Sequence, residues 1–138
     1  MFLTARARRL ALLAAVAMAC LPAVAQQPPK IPPRYTASPF EVAQLPKFCY
    51  HQYVDGSLAG EYSIPQSCGP EMNHFCPALV FMMKAQDVKE RKSERVGNMG
   101  HARTEIQYTI RGMLPGCPIA PEVMAAKQRA DLLSQFIK

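Results

Sequence analysis

From Phe75 onward, apolar residues recur at helical intervals. Phe75, Leu79, Met82 or Met83 and Gln86 follow one stripe, and Phe81, Ala85 and Val88 widen it. Val96, Met99, Ala102, Ile106, Ile110 and Met113 then repeat at spacings of three and four, as do Ile119, Val123, Ala126, Ala130, Leu133 and Ile137. This periodicity predicts amphipathic helices over 75–90, 94–112 and a third stretch after Pro118 or Pro121. Pro77 lies in a first turn, where a missing N–H is tolerated, and Gly112, Pro115 and Gly116 stop the second helix. No segment alternates convincingly with period two. The expected class is all-α: a small helical domain held by disulfides, over 38–138.

Upstream the signals are shorter. Ser38-Pro39-Phe40-Glu41 has capping-box spacing with proline at the first helical position, so a helical turn should begin there. Pro46 interrupts it and permits a second short helix through Lys47 to Val54, which Asp55-Gly56 ends. Gly56 to Pro70 holds three glycines and two prolines, which predicts an irregular loop pinned at Cys68. Residues 26–37 contain Pro28, Pro29, Pro32 and Pro33 and little to bury, which predicts an extended tether of polyproline character.

Residues 1–25 read as a secretory signal peptide. Arg6, Arg8 and Arg9 precede an apolar run from Leu10 to about Leu21; Pro22 breaks it, and Ala23-Val24-Ala25 has the small-x-small pattern of a cleavage site. The run is shorter than the roughly 20 apolar residues a spanning helix needs. Cys20 after Ala17-Met18-Ala19 offers a lipidation alternative, the one route to membrane attachment, although Ala17 stands where leucine is usual. Cleavage near Ala25 and release to the periplasm or beyond is the expected outcome. It also removes three arginines, so Lys plus Arg falls from 16 to 13 against an unchanged 10 acidic residues, and net charge falls from +6 to +3. The remaining basic cluster, Lys89, Arg91, Lys92 and Arg95, is interrupted by Glu90 and Glu94, which reads as a solvated helix turn. No nucleic-acid partner is implied.

Four cysteines remain: Cys49, Cys68, Cys76 and Cys117. An even count in a short exported chain reads as a disulfide framework with three possible connectivities, and such cross-links supplement a modest core. In an antiparallel hairpin of 75–90 and 94–112, the start of the first helix lies beside the end of the second. That geometry favours Cys76–Cys117, leaving Cys49–Cys68; Cys68–Cys76 is the main rival.

Chemistry is harder to find. Cys49-x-His51 and His74-x-Cys76 would supply two thiolates and two imidazoles for a tetrahedral zinc ion. Against this, side chains two apart on a helix diverge by about 200°, and an oxidising compartment favours disulfides. Six methionines remain after processing, but their helical spacing suits core filling better than copper ligation. There is no Cys-x-x-Cys. Cys76 beside His74 at a helix start would be an activated thiol only if unbonded. Ser57, Ser63, Ser67, Ser93 and Ser134 lack a Gly-x-Ser-x-Gly setting, His101 reads as a helix-surface residue, and the carboxylates are scattered. No catalytic residue and no cofactor are implied.

Ala102, Ile106 and Thr109, then Pro115 and a further amphipathic helix, resemble a tetratricopeptide-repeat unit over roughly the last third of the chain. With a single copy, such a unit would depend on its cross-links. Cys68-Gly69 and Asn73-His74-Phe75-Cys76 also resemble a segment of small exported proteobacterial proteins of unknown function, which carries no activity with it. The expectation is a non-enzymatic interaction module, an accessory subunit that meets another periplasmic or envelope protein. Its contact surface is expected on the 94–112 helix at Arg103, Gln107, Tyr108 and Arg111, where Arg and Tyr are hot-spot residue types. The alternative is a metal- or thiol-handling protein using Cys49, His51, His74 and Cys76.

Overall fold

The computed structural model describes residues 36–54 and 62–138, all within one unit of the chain, Ile31–Lys138. The expected signal peptide, Cys20 and most of the Pro-rich tether lie outside the described residues. The fold is all-α, with no strand among the described residues.

Helix α1, Pro39–Gln44, begins as its sequence dictates. The Ser38 hydroxyl accepts the Glu41 N–H, and the Glu41 carboxylate accepts the Ser38 N–H in return. A 3-10 turn over Lys47–Cys49 leads directly into α2, Tyr50–Tyr53. These helices are too short to be stable alone. They rest instead on a small cluster of Leu45, Cys49, Cys76 and Val80. Of the segment expected as an irregular loop, 56–61 lie outside the described residues; at its far end two 3-10 turns, Gln66–Cys68 and Pro70–His74, run into the next helix.

Helix α3, Phe75–Gln86, is the centre of the domain. Phe75, Cys76, Ala78, Val80, Phe81, Met82 and Ala85 are all buried, so the helix has more than the single apolar stripe expected. The reason is position: α1 packs on one side, and α4 and α5 on others. It also stops earlier than position 90. The Asp87 carboxylate accepts the Lys89 N–H, forming a local turn in place of the next helical bond. Val88, expected on the buried stripe, is therefore exposed.

Helix α4, Lys92–Gly112, returns antiparallel to α3. Arg95 Nε caps the Ala85 carbonyl at 2.9 Å at one end, and Leu114 N–H donates to the Cys68 carbonyl at the other. Met99, Ala102 and Ile106 enter the core as expected, with Ile110 and Met113 partly buried and Val96 largely exposed. At the α3–α4 turn, Arg91 pairs with Glu94, and that hydrogen bond holds the Glu94 carboxyl down to about 2. The basic cluster is thus interrupted in space as it is in sequence. Helix α5, Ala120–Phe136, folds back along α4 and buries Val123, Ala126 and Ala130. The small alanines at 102, 126 and 130 are buried where α3, α4 and α5 meet in one continuous core.

The cysteine pairing corrects the expected one. The bridges are Cys49–Cys76 and Cys68–Cys117, neither the favoured Cys76–Cys117 with Cys49–Cys68 nor the rival Cys68–Cys76. The end of α4 does lie near the start of α3, but the 3-10 segment 66–74 fills the space between them. Gly69 sits so close to α4 that a Cβ there would lie 2.6 Å from the Gly112 carbonyl oxygen, and its φ of 95° suits glycine. Cys68 therefore reaches Cys117 first. Cys76 is on the α3 face turned away, one turn before Val80, and meets Cys49. All four half-cystines are buried. Two such bridges suit an oxidising compartment of the extracellular type, and no helix among the described residues is long and apolar enough to cross a membrane.

A histidine clamp as the candidate functional site

The same 3-10 segment that redirects the disulfides assembles the most organised polar cluster on the surface. Pro70 starts its second turn and His74 ends it, immediately before α3. Across from it, Glu105, Tyr108 and Gly112 follow one another on α4 at spacings of three and four, hence on one face. His74 Nδ1 lies 2.5 Å from Glu105 Oε2, and Nε2 lies 3.4 Å from Glu71 Oε2. The imidazole stacks on the Tyr108 ring at 5.2 Å between centroids, and the Arg111 guanidinium sits 4.6 Å from the centre of that ring.

Glu105 is one of two buried polar or charged residues among the described residues, at 7% exposure, whereas Glu71 is exposed. Burying a carboxylate is costly unless it is paired. His74 supplies the pairing, and in return its ring is fixed by a carboxylate at one nitrogen and an aromatic face. The Tyr53 phenol also senses this carboxylate. Its pKa is raised well above the ordinary tyrosine value, first by burial and then by the charges of Glu41 and Glu105. The Tyr53 hydroxyl has no hydrogen-bond partner among the described residues.

Glu71 is positioned by an absence of side chain opposite it. A Cβ at Gly112 would overlap the Glu71 side chain, so the glycine opens the space in which the glutamate stem lies. A carboxylate, an imidazole and a second carboxylate thus stand in a row, supported by an aromatic ring and a glycine.

The residues expected to act together are only partly brought together. In the four-residue metal set, Cys49 and Cys76 are bonded to one another, so neither is a thiolate ligand in the oxidised protein. His51 turns to the Phe48 carbonyl at 3.3 Å and not to His74's partners. Among the described residues, no three or more His, Cys, Asp or Glu side chains are grouped to hold a metal ion. His101, read as a surface residue, is exposed and tilts its ring against Phe81 at 5.1 Å.

Of the expected contact set, Arg103 faces α5, with Nε 3.5 Å from Asp131 Oδ1. Lys127 chiefly, with Arg103 adding, holds the Asp131 carboxyl below its ordinary range. Tyr108 faces the opposite flank and stacks on His74, roughly 140° around the helix from Arg103. Gln107 and Arg111 stay exposed between them. The four residues span the outer face of α4 and do not form one patch.

The sequence reading missed Glu105 and Glu71. The spacing Glu71-x-x-His74 was visible as a possible one-turn pair, but Glu105 lies 31 residues from its histidine. Only tertiary packing joins them. An open cleft of about 390 Å3 flanks the same 3-10 segment, lined by Gly69, Pro70, Met72 and Asn73 with His51 across from them, and neither it nor a second cleft of about 660 Å3 is lined by His74, Glu71 or Glu105. No protein-family model, curated protein or solved structure matches this chain.

Proposed function

We propose that the chain is the precursor of an exported, non-enzymatic interaction module, an accessory subunit of a periplasmic or envelope assembly. In this reading, residues 1–25 are removed and 26–37 tether the domain. The α3–α4 hairpin with α5 acts as a single tetratricopeptide-like unit. The resemblance of Cys68-Gly69 and Asn73-His74-Phe75-Cys76 to a segment of small exported proteobacterial proteins agrees with that setting.

The observation that carries the reading is the outer flank of α4 and the residues just after it. Gln107 and Arg111 are exposed, Tyr108 is 44% exposed and Leu114 49% exposed. A half-exposed tyrosine stacked on His74 with an arginine beside it has the residue types of a binding hot spot and little side-chain entropy left to lose, and Leu114 adds exposed apolar area next to it. The scaffold below it is cross-linked within a few residues, at Cys68–Cys117. Arg103, drawn toward Asp131, belongs to the rim.

A photo-crosslinking residue placed at Gln107 in the exported protein tests this. It is expected to capture a discrete envelope protein that the same probe at Gln128, exposed on α5, does not capture. Tyr108→Ala with Arg111→Ala should abolish the capture. Recovery of the same protein with both alanines in place would remove the surface from consideration.

A further inference from the structure

We propose that Glu71 and His74 are the protein ligands of a site for a divalent transition-metal ion of the zinc type, with Glu105 as the positioning carboxylate. The ion's remaining positions would be filled by water. No cysteine is among its ligands.

Distance is the first reason. The 3.4 Å between His74 Nε2 and Glu71 Oε2 exceeds the usual 2.7–3.2 Å of an N–H···O hydrogen bond. It equals the separation of two ligands on a tetrahedral zinc ion, about 3.4 Å for Zn–N and Zn–O lengths near 2.1 Å. The two atoms are thus spaced for an ion between them.

Orientation is the second. A ligating histidine generally donates its other ring N–H to a carboxylate, which fixes the tautomer and makes the free nitrogen a better ligand. Glu105 stands at Nδ1 at 2.5 Å, and its buried position keeps it there. Tyr108 fixes the ring plane. The Glu71 stem lies in the room that Gly112 leaves open. The imidazole is therefore preset before an ion arrives, which lowers the entropy cost of binding.

Ligand chemistry is the third. Imidazole suits Zn2+, Cu2+ and Ni2+, and zinc accepts a carboxylate oxygen beside it. Glu71 and His74 are one turn apart, so a single 3-10 turn presents both.

The test is a titration of the exported, oxidised protein with Zn2+ alone, read by long-range 1H–15N NMR of its three imidazoles, His51, His74 and His101. Saturable 1:1 binding that moves the His74 Nε2 resonance, with the other two unmoved, is expected. Glu71→Gln should weaken binding at least tenfold, and His74→Ala should abolish it. Glu105→Gln should weaken it by about 10–100-fold through the lost positioning bond. Glu71→Gln sits at an exposed side chain, so its result stands even if the buried Glu105 variant misfolds. Gly112→Ala, which displaces Glu71 without touching either ligand atom, should weaken binding as well. An unmoved His74 at about 1 mM Zn2+, or affinity unchanged by Glu71→Gln, would overturn the proposal. So would a response confined to His51 or His101.

Discussion

The two ends of the domain are held by different means. Residues 36–54 contain helices of 6 and 4 residues over a cluster of four buried side chains, two of them the halves of Cys49–Cys76. Helices α3, α4 and α5 share a larger core in which Phe75, Phe81, Met82, Met99, Ile106 and Val123 interlock. The first region has a fold because it is tied down; the second has one because its own surfaces match. The domain thus consists of a packed three-helix body and a stapled arm, and the histidine clamp lies on the body, at the end fixed by Cys68–Cys117.

The largest expected effect comes from removing the bridges separately. By loop-closure entropy, Cys68–Cys117, with a separation of 49 residues, contributes about 4 kcal/mol, and Cys49–Cys76, with 27, about 3.5 kcal/mol. The totals barely differ, but their distribution should. Paired alanines at Cys49 and Cys76 should release amide protection in 36–54 and leave α4 and α5 protected in hydrogen exchange. Paired alanines at Cys68 and Cys117 should lower protection across the body. Equal loss in both regions from either pair would erase the distinction between arm and body.

A smaller effect separates their cores. Ile106→Ala removes a side chain buried among all three long helices and should cost about 3 kcal/mol in urea unfolding. Leu45→Ala, also buried but in the smaller cluster, should cost about 2 kcal/mol. A larger loss at Leu45 would mean that the arm is integral to the core.

The smallest effect is a pH dependence in the arm. The folded pKa of Tyr53 is raised above its unfolded value of about 10. The folded state therefore holds the phenolic proton more tightly, so the stabilisation is complete below about pH 10 and is lost as pH rises beyond it. Tyr53→Phe should flatten that alkaline decline and be nearly neutral at pH 7, because the hydroxyl it removes has no hydrogen-bond partner among the described residues. An unchanged alkaline slope in Tyr53→Phe would assign the decline to another group.

What could be read in the sequence follows the same division. The capping box at Ser38 and the periodic stripes of α4 and α5 depend on neighbours three and four residues away, and they appear where the residues placed them, Val96 excepted. Helix α3 was legible as a helix but not as a central one, because burial on several sides depends on elements distant in sequence. Its early end at Gln86 rests on one aspartate competing for the backbone. The disulfide pairing was not legible: a turn of 3-10 helix interposed at 66–74 decides which sulfur faces Cys117. The clamp was half legible for the same reason, with His74 evident and its buried partner Glu105 not. The separation of Arg103 from Tyr108 was legible, since five residues turn a helix by about 140°, whereas their partners Asp131 and His74 are set by tertiary packing.

The most direct test of the central claim, an exported domain stapled in this pattern, is peptide mapping of the protein isolated from the periplasm without reduction. The expected mature chain begins at Gln26, is four hydrogens lighter than its reduced form, and yields cross-linked peptides joining Cys49 to Cys76 and Cys68 to Cys117. A chain retaining residues 1–25, free thiols, or peptides joining Cys76 to Cys117 would contradict it.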